Sequence, residues 1–155
     1  MNKTFLNTLA TILTGIFLVL VSCTPGSCFE ETNAYVKASM YLTSTGKLLA
    51  PDSLTLYGTG MAANKIYDKK PGVKQALIPL NSSTASCGFI IMINGITDTI
   101  TFTYTSYPHL LSKECGYTFY HTIDEPVFTK NNIDKVTIIK NTITTLREEN
   151  IRIYY

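Results

Sequence analysis

Thr99-Ile100-Thr101-Phe102-Thr103-Tyr104-Thr105 decides how the chain is read. Ile100, Phe102 and Tyr104 take every second position, and threonines fill the positions between and around them. Successive side chains of an extended strand point to opposite faces, so this alternation describes a strand with one buried and one wet face. A helix would scatter the same residues around its circumference. Just upstream runs Phe89-Ile90-Ile91-Met92-Ile93, separated from the first stretch by Asn94-Gly95. Asn-Gly is a strong hairpin signal, because both positions accept the positive φ that a tight type I′ turn demands.

Working outward, residues 34–43 place Val36, Ala38, Met40 and Leu42 on one face and Tyr35, Lys37, Ser39 and Tyr41 on the other. Further strands are predicted at residues 53–57, 75–80, 115–123, 135–140 and 150–155, with a short one at 125–128 after a turn. Pro79 lacks an N–H, which places its strand at a sheet edge or a bulge. Turn-rich breaks fall at 44–47, 68–72, 81–83 and 131–132. No long window has a helical period, and 142–149 offers a turn or two of helix at most. About seven to nine short strands at this spacing predict an all-β fold, an antiparallel, Ig-like β-sandwich over residues 34–155. A small closed β-barrel is the alternative.

Composition narrows the function classes. The 155 residues suit one domain, and 45% of them are hydrophobic with only 15% charged, which excludes a disordered chain. The formal net charge is +2, and the basic residues are dispersed. Nucleic-acid binding needs a concentrated basic footprint, so no nucleic acid is expected as a partner.

The first residues read as an address. Lys3 is the only charge before Glu30, residues 5–21 are mostly apolar, and Leu20-Val21-Ser22-Cys23 follows. A charged start, an apolar middle and a small-residue cleavage site make a secretory signal. With Cys at the next position, the site resembles the lipobox of bacterial lipoproteins, which implies that Cys23 is acylated and becomes the first mature residue. Residues 1–22 are then a lipoprotein signal peptide and residues 23–33 a tether. A plain secretory signal or an uncleaved anchor are the alternatives, although the apolar run is short for a span and is interrupted by threonines. Several acyl chains on one residue would hold the domain stably to a lipid bilayer.

Export also governs the cysteines. Of the four, Cys23 is assigned to lipid, leaving Cys28, Cys87 and Cys115 in an oxidising compartment. Their spacing suits no metal site. Cys87 shares a face with Phe89, Ile91 and Ile93, so a buried free thiol is expected there. Cys28 and Cys115 sit at element borders, beside Gly26-Ser27 and Gly116, where strand ends can meet. A Cys28–Cys115 disulfide is therefore expected, worth roughly 3–5 kcal/mol in the chain-entropy account.

Several short signatures occur in order: Cys28-Phe29-Glu30-Glu31-Thr32, Leu77-Ile78-Pro79-Leu80-Asn81, the strand from Asp98 to Tyr104, Ser112-Lys113-Glu114-Cys115-Gly116, and Asn150-Ile151-Arg152-Ile153. Together they resemble a family of uncharacterised lipoproteins of Bacteroidota, domain of unknown function 6452. The resemblance covers essentially the whole chain and implies a compact β domain of unknown activity. It strengthens the Cys28–Cys115 pairing, since both cysteines lie in matching motifs, and it carries over no catalytic residue. Surface lipoproteins of that group often carry acids directly after the lipidated cysteine. Here Thr24-Pro25-Gly26-Ser27 follows instead, which leans toward an outer membrane position facing the periplasm.

Catalytic chemistry finds little support. His121 alternates with Tyr117, Phe119 and Ile123 and reads as a core histidine, while His109 follows Pro108 in an expected loop. A hydrolytic triad would need one of them near a serine and near Asp52, Asp98 or Asp124, and no pattern fixes that geometry. No catalytic residue, metal site or cofactor is expected. Tyr35, Tyr41 and Tyr120 are candidate binding residues, since exposed tyrosines offer apolar area with a polar tip to a glycan or an envelope protein. The expected function is a non-catalytic, lipid-anchored binding or structural module of the cell envelope. The alternatives are an adhesin or fimbria-related subunit donating residues 150–155 as a strand, and a secreted hydrolase.

Overall fold

Ile93 and Ile96 face each other across Asn94-Gly95, whose φ angles of 52° and 89° make the tight turn anticipated from the sequence. This computed structural model describes Cys28 and residues 30–155, so the expected signal peptide (1–22) and the lipid-attachment site Cys23 lie outside the described residues. The strands are β1 (Tyr35–Leu42), β2 (Lys47–Leu48), β3 (Leu54–Gly58), β4 (Tyr67–Lys70), β5 (Gln75–Pro79), β6 (Ser86–Ile93), β7 (Ile96–Ser112), β8 (Gly116–Ile123), β9 (Val127–Phe128), β10 (Lys135–Ile138), β11 (Thr142–Ile143) and β12 (Ile151–Tyr154). No helix occurs among the described residues.

Two sheets form. The smaller has five strands in the order β10-β12-β1, with β5 and then β2 sharing the far edge of β1. The larger has seven, in the order β11-β8-β7-β6-β3-β4 with β9 on the other side of β7, and it curls. The inward faces meet in one core. Val36, Ala38, Met40, Ile78, Ile151 and Ile153 of the first sheet pack into the same cluster as Leu54, Leu56, Ile91, Ile100 and Phe102 of the second. The fold is thus all-β, as expected, and its two layers are those of a sandwich whose larger sheet bends toward a half-barrel. Pro79 ends the edge strand β5, whose Leu77 N–H is satisfied by the Tyr67 hydroxyl at 3.0 Å.

Where the structure departs from the finer expectations, the reasons are physical. β12 runs parallel to β1, because alternation reports which face is buried but not the direction of a neighbour. Lys37 and Ser39 are buried rather than wet, since the segment before β12 covers that face of β1: Lys37 Nζ donates to the Thr144 carbonyl at 3.2 Å. Residues 67–70 form a strand where a turn was expected, with Lys69 at φ 47° and its N–H held by Thr55 Oγ1. Residues 142–149 carry β11 in place of a helical turn, and His109 lies in β7, not in a loop.

Pro108 does not break β7. The Tyr104 N–H points away from β8 to the Ala85 carbonyl, and by the two-residue period Pro108 points its missing N–H the same way. Beyond Tyr104, β7 pairs only with β8 among the described residues, so that edge requires no ladder bond.

Candidate functional site

The distal halves of β7 and β8 form a two-stranded ribbon that outruns the sandwich. Its base is the core pair Tyr104–Ile123, followed by Ser106–His121, both lined up by the antiparallel register. From Ser106 to Ser112 the strand advances roughly 20 Å at ~3.3 Å per residue. Facing pairs share a side, so Pro108, Phe119, Leu110 and Tyr117 lie on one face and Tyr107, Tyr120 and His109 on the other. Tyr117 is 73% exposed, and Leu110 and Phe119 are about half exposed. His109 stacks on Tyr120 with ring centres 4.1 Å apart, and Tyr107 meets Tyr120 edge-on.

An isolated two-stranded ribbon is marginal in water. Two ties hold this one. Cys28 is disulfide-bonded to Cys115 in the turn between β7 and β8, as expected, with Cα atoms 4.8 Å apart. Thr118 Oγ1 donates to the Thr32 carbonyl at 2.6 Å. The segment ahead of β1 therefore runs along the ribbon, and Cys28 sits at the ribbon's tip.

At the base, Ser106 Oγ and His121 Nδ1 share a hydrogen bond of 2.8 Å. Burial lowers the His121 pKa, and the Tyr104 ring packs edge-on against it. No carboxylate bonds to His121 among the described residues, so the pair is a cross-strand polar contact without the third member of a triad. A cleft of about 250 Å³ opens beside it, lined by Tyr35, Leu80, Phe119 and His121 among others.

Cys87 is a free thiol, as expected, but half-buried, and it lies 2.8 Å from the Tyr104 hydroxyl. That hydroxyl also donates to the Asn81 carbonyl and lies 3.0 Å from Thr84 Oγ1. Burial and the Cys87 contact raise the Tyr104 pKa. An apolar cleft of about 360 Å³ lies beside this cluster, lined by Met61, Leu80, Cys87 and Phe89.

The structure separates the candidate tyrosines. Tyr35 and Tyr41 lie on one face of β1, roughly 20 Å apart at ~3.3 Å per residue, with buried Lys37 and Ser39 between them. Tyr41 belongs to its own cluster: its ring packs on Tyr154, the Arg152 guanidinium lies 5.0 Å from its centre, and its hydroxyl donates to Glu149. Burial pushes the Glu149 carboxyl up, but hydrogen bonds from Arg152, Ser39 and Tyr41 together with the Arg152 charge outweigh it and hold the carboxyl below its usual range. Tyr120 belongs to the ribbon, with its hydroxyl 3.3 Å from Thr145 Oγ1. The ribbon's Tyr107 and Leu110 were missed as site residues, and His109 was weighed only for catalysis, because the residues around Pro108 read as a loop. The alternation Ser106, Pro108, Leu110 continuing that of Tyr104 was the available signal.

A family model described as a family of unknown function (DUF6452) matches residues 53–155, the stretch from β3 through β12. The chain belongs to the DUF6452 family. The match includes Cys115 and the whole ribbon, whereas Cys28 and β1 precede it. No curated protein and no solved structure matches the chain.

Proposed function

We propose that this DUF6452 protein is a lipoprotein of the Bacteroidota cell envelope, acylated at Cys23, held at the outer membrane facing the periplasm, and acting as a non-catalytic binding or structural module. The observation that carries the reading is the Cys28–Cys115 bond, a disulfide that suits an exported protein and fixes the chain five positions after Cys23 to the folded domain. The apolar run of residues 5–21 and the small Ser22 before Cys23 supply the matching signal. Thr24-Pro25-Gly26-Ser27, in place of acids, supports the periplasmic face. A binding or structural role suits side chains already occupied with one another: Ser106 with His121, Tyr41 with Arg152 and Glu149.

Strand donation by residues 150–155 would draw β12 from between two neighbours, since it pairs with β1 on one edge and β10 on the other. Mass spectrometry of the membrane fraction tests the anchor. The expected species begins at Cys23 and carries acyl chains, and Cys23→Ser moves the protein out of that fraction. A soluble mature protein without acyl chains overturns the proposal.

A further inference from the structure

We propose that the tip of the β7–β8 ribbon seats in the headgroup–acyl boundary of the bilayer that holds the Cys23 anchor, so that the domain stands on the membrane in one orientation. This rests on the lipoprotein reading above. Position and chemistry select the bilayer as occupant. Five residue steps separate Cys23 from Cys28, which at ~3.6 Å per step allows at most about 18 Å. Cys28 is bonded to Cys115 in the ribbon's turn, so the ribbon tip is the part of the fold bound closest to the anchoring sulfur. The ribbon carries apolar and aromatic side chains on both faces: Leu110 and Tyr117 nearest the turn with Phe119 behind them on one, and exposed His109 on the other, with Tyr107 and half-buried Tyr120 nearer the base. A ribbon covering a protein core needs one apolar face; one entering an interface can use two. Tyrosine favours the boundary between hydrocarbon and water, where its ring is buried and its hydroxyl stays wet. Lys113 beside Glu114 in the turn leaves no net charge to favour anionic lipid, so the attraction is to the apolar boundary.

The chain contains no tryptophan, so a single introduced indole reports its own surroundings. The full acylated protein carrying Tyr117→Trp is placed in vesicles of phosphatidylcholine and phosphatidylethanolamine, with or without bromine on the acyl chains. Leu48→Trp serves as the control, because β2 lies beside the end of β1 remote from the tether. Bromine should reduce the Tyr117→Trp emission by about half, as for a ring at headgroup level, and leave the Leu48→Trp emission unchanged. Should Tyr117→Trp fail to fold, Leu110→Trp carries the reporter on the same face. Acylated protein with unquenched ribbon indoles, as a ribbon covered by another protein would give, overturns the seating and leaves the anchor standing. Equal quenching at Leu48→Trp overturns the single orientation. A mature protein whose mass shows no acyl chains overturns both readings.

Discussion

Asp98 organises more backbone than any other carboxylate described. It is 2% exposed and accepts hydrogen bonds from Thr129 Oγ1 and from the N–H groups of Asn131, Asn132 and Ile133 at 2.6–3.0 Å. Burial opposes its ionisation, but these donors outweigh it and hold the pKa below the ordinary value. Because the folded pKa lies below the unfolded one, the stabilisation is complete above the unfolded value of about 3.9 and is lost as pH falls through the folded value. Burial likewise lowers the His121 pKa, so its contribution is complete above about 6.5 and declines below that, where the unfolded chain takes up the proton first. Urea unfolding at pH 7 should show Asp98→Asn destabilised by about 2–4 kcal/mol, since an amide turns N–H groups toward backbone donors that then go unpaired. The gap between Asp98→Asn and the parent should narrow below pH 4, and a gap constant with pH would contradict the assignment. The sequence showed Asp98 as the start of a strand and as one of three carboxylates a triad could draw on, not as the organiser of a loop. Its partners lie over thirty residues away, and side-chain alternation says nothing about which distant loop a carboxylate will gather.

At the scale of elements, alternation was enough to find β1, β6 and the first half of β7, because burial on one face writes itself into every second residue. The Asn94-Gly95 turn was legible for the same local reason. Gly95→Val should therefore cost about 1–2 kcal/mol in equilibrium unfolding, since a β-branched residue is strained at φ 89°; an unchanged midpoint would show that the turn can adopt another form. The ribbon was not legible as one element. Its exposed half buries neither face fully, so no burial pattern distinguishes it from a loop, and the residues around Pro108 were read as one. The strand predicted at 115–123 covered its β8 half, and the expected disulfide pointed to its turn. Replacing Cys28 and Cys115 together by serine should lower stability by about 3–5 kcal/mol, given the sequence separation of 87. Hydrogen exchange should rise first in residues 107–112 and 116–120, ahead of β3 and β6. Uniform loss of protection would instead make the bond a brace of the entire sandwich.

The molecule as a whole is closed by its most distant segments. β12 lies between β1 and β10, and Asn150 just before it is a junction: its side-chain oxygen accepts the Lys37 N–H, and its amide donates to the Lys140 and Thr142 carbonyls. Two sheets and one core could be read from the sequence, but this closure could not, because strand order depends on long-range pairing. The consequence is that the smaller sheet cannot complete until residues 150–155 have arrived. Non-local pairing of this kind also predicts slow folding, in milliseconds to seconds. Removing residues 150–155 should therefore abolish the fold. Ile151 and Ile153 are fully buried, each worth about 1.5–3 kcal/mol by burial alone, and their loss also exposes the facing edges of β1 and β10. A domain of ordinary stability has only about 5–15 kcal/mol in total. Circular dichroism of the truncated chain should show no cooperative thermal transition at any temperature. A truncated chain that still melts cooperatively would mean that β12 is replaceable in the sheet, and strand exchange with another subunit would then regain a physical basis.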